Sequence, residues 1–214
     1  MPTVLAGEYW GQTAYGAQRL ASDGNEVCSQ RWAGLFSDVS ALTWCGDSGY
    51  GSDCNDGELR LTLLRSPLYL ANEFGSVKAF DKQRFHPRSD QGERSFRFAF
   101  AAGDAQQRRQ MIEAEAMAFH EAPALLPFNP SGEGEPVRPA LRLDNPAIQV
   151  TAFKKKEDAG SYIIRLYETT EQAGSAVLSV PMLGLTLSCE FKGFEVKTVL
   201  LENYTLTELT GLMV

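Results

Sequence analysis

The sequence predicts a mainly β protein: a β-sandwich of supersandwich-like form, built from two sheet-rich parts with at most one short helix. Residues 1–100 are short alternating runs interrupted by turn chemistry at Asp23-Gly24-Asn25, Gly46-Asp47-Ser48-Gly49, Asn55-Asp56-Gly57 and Asp90-Gln91-Gly92. Gly, Asn and Asp supply the backbone conformations that tight turns need, and strands spaced this closely read as a sandwich or barrel. A second set of strand-like runs follows residue 146, beyond a stretch rich in proline and glycine.

In the first part, Glu58 to Leu64 alternates polar and apolar residues, the pattern of a half-buried strand. The strand reading extends over Thr62–Leu64 and resumes at Leu68–Leu70, because Pro67 would break a helical ladder. Ser95 to Phe100 repeats the alternation, with Phe96, Phe98 and Phe100 on one face. One helix is expected, over Asp104 to His120, with Asp104 placed as its N-cap. Residues Met111 to Phe119 also carry a period of two, so a strand there competes with the second half of the helix.

Pro123, Pro127, Pro130, Pro136 and Pro139, with Gly132 and Gly134, mark residues 122–146 as an extended connection. The organisation read from this is residues 1–121, the connection 122–146 and C-terminal strands over 147–214, packed as one compact unit. The strand candidates after the connection are Ala147–Lys154, Tyr162–Thr169, Gly174–Val180 with Leu183–Leu187, and Gly193–Leu201, and Asp158-Ala-Gly160 closes a hairpin between the first two. On these strands Arg165 and Tyr167 share a face with Glu168 opposite, while Glu195 and Lys197 share a face and can pair. The Lys154–Lys156 run reads as a solvated turn and as protection of a sheet edge.

The 214 residues are 43% hydrophobic and 22% charged, an ordinary globular balance that fits one large β domain or two small ones. A chain of this size buries roughly 70% of its unfolded surface and needs no covalent staples. A net charge of -7 argues against a nucleic-acid partner, which requires a basic face. There is no apolar run long enough to span a bilayer and no signal-peptide pattern at the N-terminus, so the expectation is a cytoplasmic protein without a membrane partner. Cys28, Cys45, Cys54 and Cys189 form no CxxC pair and have no histidine at ligand spacing, which predicts free thiols and no metal site.

No complete catalytic motif is present: GxSxG, HExxH, GxxxxGKS and a helix-opening GxGxxG are all absent. His86 and His120 stand apart, the first in a loop and the second ending the helix. The aromatic and basic residues from Phe74 to Phe85 fit either a sugar-stacking platform or a loop covering the core. Arg65 poses a sharper question, since an unpaired charge inside a sheet is costly to desolvate. Either the strand ends at Arg65 and the side chain reaches water, or a carboxylate or ligand meets it.

Several segments read in order carry a resemblance. They are Ala14-Tyr15-Gly16, Glu26 to Gln30-Arg31-Trp32, Tyr50-Gly51, Leu61-Thr-Leu-Leu-Arg-Ser-Pro67, Asp90-Gln-Gly92, Ile163-Ile-Arg-Leu-Tyr-Glu168 and Phe194-Glu-Val-Lys-Thr198. This series resembles the C-terminal β-sandwich region of α-mannosidases of glycoside hydrolase family 38, from about residue 14 to residue 201. The resemblance implies exo-acting, retaining hydrolysis of α-mannosides, with zinc and an aspartate nucleophile in an N-terminal catalytic domain that this chain does not contain. It implies no cofactor and no catalytic residue in this chain, zinc in the catalytic domain, and as partners that domain and an α-mannoside. By itself the chain should then be inactive; a homo-oligomer is left open.

The candidate substrate-binding residues are Arg65, Asp90, Tyr50 and Gly51. By the resemblance, Leu63–Pro67 runs toward the catalytic domain, and Arg65 either meets substrate hydroxyls or pairs with Asp90. A guanidinium suits both roles. Tyr50-Gly51 is either a turn needing positive φ at the glycine or a loop tip touching the catalytic domain. A stand-alone carbohydrate-binding module is the alternative function, and fold alone does not separate the two.

Overall fold

The computed structural model describes residues 3–47, 49–67, 85, 87–127, 137–157 and 160–209. The readings placed on Leu68–Leu70, on Phe74 to Arg84, on His86 and on the tip of the Asp158 turn lie outside these residues. Within them the protein is mainly β, with antiparallel strands in four sheets and one helix.

The chain opens with β1 (Glu8–Thr13), β2 (Gly16–Arg19), β3 (Val27–Cys28), β4 (Trp32–Phe36), β5 (Ser40–Gly46), β6 (Gly51–Asn55), β7 (Glu58–Leu61) and β8 (Phe98–Asp104). A five-stranded sheet has the order β2-β1-β4-β5-β8, and a smaller one the order β3-β6-β7. The β6–β7 hairpin turns on Asp56 and Gly57, both at positive φ, as a two-residue Asp-Gly turn between paired Asn55 and Glu58 requires.

Alternation divides the two faces of the five-stranded sheet. Tyr9, Leu20, Ala33, Leu35 and Trp44 face the small sheet and pack with Cys54 and Leu59. Trp32, Phe36, Ala41 and Cys45 face the helix α1 (Ala105–His120) and pack with Ile112 and Ala116. The first part is therefore a helix, a central sheet and a small sheet in three layers. The helix starts where its cap predicts, with the Asp104 carboxylate accepting from Gln107 N at 2.9 Å. Burial of Ile112, Glu113 and Ala116 against the sheet settles Met111–Phe119 as helix.

The second part follows as β9 (Arg142–Leu143), β10 (Ile148–Lys155), β11 (Tyr162–Glu168), β12 (Gly174–Val180), β13 (Leu185–Phe191), β14 (Val196–Glu202) and β15 (Thr205–Leu209). Sheets of order β10-β11-β14-β15 and β13-β12-β9 enclose Ile148, Ile164, Leu166, Leu178, Phe191 and Val199. Glu195 and Lys197 pair at 3.6 Å, and Lys197 also binds Glu208 across the β14–β15 ladder.

The two parts touch at the tip of the β1–β2 hairpin. Tyr15, at φ 52°, sets its ring edge-on to Tyr167 with centroids 5.6 Å apart. No described helix is long and apolar enough to cross a membrane.

Several strand boundaries differ from the sequence reading: in the second part β13 runs Leu185–Phe191 where Leu183–Leu187 was expected, and β14 begins at Val196 and not at Gly193. The strand expected through Leu64 ends at Leu61, because its partner β6 begins at Gly51 and the ladder closes on the Ser52–Leu61 pair. The strand expected from Ser95 begins at Phe98, so Phe96 precedes it, while Phe98 and Phe100 stack edge-to-face at 5.7 Å.

Candidate functional site: a notch at the end of the small sheet

Three of the residues singled out from sequence, Tyr50, Gly51 and Arg65, line one notch of about 270 Å³ together with Glu26, Cys28, Gly49, Thr62, Leu63 and Leu64. It lies at the end of the β3-β6-β7 sheet, where Val27 pairs with Ser52 and the chain leaves β7. Arg65 sits past the end of the strand with 76% of its side chain exposed. Its charge therefore reaches water, and the desolvation problem raised by a strand position does not arise.

The partner proposed for Arg65 is corrected by the geometry. Arg65 Nη1 lies 3.5 Å from Glu26 Oε2, while Asp90 pairs with Arg94 at 3.7 Å. The two segments nevertheless meet through their neighbours. Ser66 Oγ donates to Ser89 O at 2.8 Å, Ser89 N donates to Pro67 O at 3.0 Å and Gln91 Nε2 donates to Ser66 Oγ at 2.7 Å. The loop carrying Asp90 is thus tied to the residues after Arg65, without contact between the two charged side chains.

The role read for Gly51 is corrected as well. Positive φ belongs to Gly49, at 85°, and not to Gly51, which opens β6. What the absent side chain at position 51 leaves is room for Glu26: a Cβ there would meet the Glu26 carboxylate, lie 3.1 Å from Thr62 Cβ and displace the end of the glutamate. Glu26 Oε1 also accepts from Thr62 Oγ1 at 2.5 Å, and Thr62 N donates to Gly51 O at 2.9 Å. Glu26 is the residue that sequence reasoning missed. Its place just before a strand was readable, whereas its approach to Gly51 and Thr62 follows from the pairing of Val27 with Ser52 and was not.

A second, larger cavity of about 540 Å³ adjoins the notch and shares Cys28 and Tyr50 with it. Its other lining residues include Gln12, Ser29, Arg31 and His120, the last at the end of α1. A buried network underlies this cavity. Gln12 Nε2 and Trp32 Nε1 both donate to the Glu113 carboxylate, at 2.5 and 2.8 Å, and Arg31 N donates to Gln12 Oε1 at 2.8 Å. Burial raises the Glu113 pKa above its ordinary value, partly opposed by the Trp32 hydrogen bond. Arg31 is held outward by Glu121 at 3.1 Å.

The second part carries its own buried carboxylate. Glu168, 1% exposed at the end of β11, accepts from Thr170 N at 2.7 Å, from Phe194 N at 2.9 Å and from the Thr170 hydroxyl. It clamps the turn after β11 to the turn before β14.

Residues 147–211 match the model described as the glycosyl hydrolases family 38 C-terminal beta sandwich domain. The chain resembles family 38 glycoside hydrolases in their C-terminal sandwich. Two of the family 38 motifs read from sequence, Ile163–Glu168 and Phe194–Thr198, fall within the matched span. A solved α-mannosidase from Enterococcus faecalis V583 shares the fold over 90% of this chain, at a TM-score of 0.68 and 16% identity. A solved protein of glycosyl hydrolase family 38 from Enterococcus faecalis shares it over 91%, at a TM-score of 0.72 and 16% identity. This chain spans 24% and 25% of the length of those two structures. No curated protein matches the sequence.

Among the described residues no three His, Cys, Asp or Glu side chains cluster in a way that could hold a metal ion. The zinc that the family 38 resemblance implies belongs by that resemblance to the catalytic domain, and the described residues of this chain offer it no ligand set.

Proposed function

We propose that this chain is the C-terminal β-sandwich part of an α-mannosidase that hydrolyses terminal α-mannosides with retention. The observation that carries the proposal is the family 38 match over 147–211, joined to a shared fold over nine-tenths of the chain. In this reading the nucleophile and the zinc belong to an N-terminal catalytic domain of the same enzyme, and the sandwich packs against it. The Tyr50, Gly51 and Arg65 notch faces the sugar, and Arg65 offers its exposed guanidinium to hydroxyls. A cytoplasmic setting is part of the proposal, supported by four cysteines that are all free.

The test is an aryl α-mannoside assay of the 214-residue chain alone and of the enzyme that joins it to a catalytic domain. Activity is expected in the second only, with the α-anomer released first in the proton NMR spectrum. Turnover by the isolated chain, or release of the β-anomer, would refute the reading.

A second reading, a stand-alone carbohydrate-binding module, is favoured by the cavity beside the notch, whose lining includes Gln12, Gln30 and Arg31, and by Tyr50, 65% exposed and shared by both. Its mark is saturable binding of methyl α-mannoside by the isolated chain, lost in Tyr50→Ala.

A further inference from the structure

We infer that Glu26 is a positioning residue, whose carboxylate sets the direction of the Arg65 guanidinium; its importance for catalysis rests on the proposed substrate-facing role of Arg65. The geometry supporting this has three parts. One oxygen of Glu26 accepts from Thr62 Oγ1 at 2.5 Å, while the other faces Arg65 Nη1 at 3.5 Å. The carboxyl carbon lies 3.0 Å from where a Cβ of residue 51 would stand, so the glycine is what lets the carboxylate sit there. The Thr62 backbone then closes on Gly51 O, which ties the segment leading to Arg65 onto the start of β6.

One carboxylate thus bridges three separate pieces of chain: its own segment before β3, the first residue of β6 and the tail after β7. Arg65 is a long, flexible side chain, 76% exposed, and without a fixed counter-charge it would sample many rotamers. A carboxylate held by a short hydrogen bond on its other oxygen restricts that sampling. The notch holds no other carboxylate side chain among its lining residues. The occupant that fits is a neutral, hydroxyl-bearing ligand meeting the guanidinium protons that Glu26 leaves free.

The experiment has two arms. In the 214-residue chain, the Arg65 Nε–Hε resonance is followed by NMR in wild type, Glu26→Gln and Glu26→Asp. Gln keeps an oxygen for Thr62 while removing the charge, so the fold is expected to be retained and the Arg65 resonance to shift, with Arg97 unchanged as an internal control. An Arg65 resonance indifferent to Glu26→Gln overturns the inference whatever the activity shows.

In the joined enzyme, Glu26→Gln is expected to raise KM by about two- to fivefold with kcat unchanged, the scale of one exposed ion pair. The effect should vanish in an Arg65→Lys background, because a positioning residue has nothing left to position. An undiminished effect in that background overturns the inference. A shifted Arg65 resonance with KM unmoved in both single variants leaves the positioning intact and instead removes the notch from the substrate site.

Discussion

Replacement of Glu168 by alanine should be among the more damaging single changes in the second sandwich, and its cost can be worked from the hydrogen bonds. The substitution strips acceptors from two backbone amides, Thr170 N and Phe194 N, and from the Thr170 hydroxyl. A buried donor left without an acceptor costs about 1–3 kcal/mol; Thr170 is buried, whereas the Phe194 amide, only partly buried, sits at the low end. Removing a buried charge returns part of that loss. The net is about 3 kcal/mol, which in a chain of this size lowers Tm by roughly 6–12 °C.

Glu168→Gln keeps one oxygen and should lose about half as much, on the same scale of hydrogen-bond energies. Thermal unfolding followed by circular dichroism, with urea titration for the free energy, measures both variants. An alanine variant within about 0.5 kcal/mol of wild type, the range of an ordinary surface substitution, would refute the argument that this carboxylate holds the two turns together.

Other consequences can be measured on the same chain. Burial holds Glu113 above its ordinary 4.5, so the native state binds that proton more readily than the unfolded chain. The stabilisation this gives is full below the unfolded value and is lost as pH rises through the folded one. Wild type should therefore lose Tm relative to Glu113→Gln as pH climbs from 4 toward 7, and a flat difference would contradict the burial. Gly193→Ala should destabilise by about 1–3 kcal/mol in urea, because its Cβ would lie 2.6 Å from the Glu171 carbonyl carbon, a backbone atom that cannot swing aside. An aromatic disulfide reagent should modify Cys28 rapidly under native conditions, while Cys45, Cys54 and Cys189, buried and with pKa values raised by burial, wait for unfolding. More than one fast thiol would contradict the packing.

Much of the fold was legible because local chemistry and tertiary packing agree. Asp104 marks the start of α1 through its own side chain, and Tyr162 to Thr169 reads as a strand from its β-branched and aromatic residues, one residue beyond the end of β11. The boundary at Leu61 was not legible, since Thr62 to Leu64 has the composition of a strand and stops being one only because its neighbour in the sheet runs out. Of the candidate site the grouping was readable: Tyr50, Gly51 and Arg65 do come together, whereas among the described residues Asp90 is joined to them through Ser66 and Pro67.

What failed was partner choice. An arginine accepts any carboxylate within reach, and the one it meets, Glu26, is brought there by strand pairing of Val27 with Ser52. The clamp made by Glu168 was not legible for a related reason. Strand alternation gives the face on which a carboxylate lies, but not whether two turn amides arrive from elsewhere to receive it.

The β1–β2 hairpin tip serves two neighbourhoods at once. Thr13 and Ala14 form part of the wall of the larger cavity, and Tyr15, the next residue, bears on Tyr167 of the other sandwich. The wall of the larger cavity and a ring contact that joins the two parts are therefore carried by three consecutive residues of one turn.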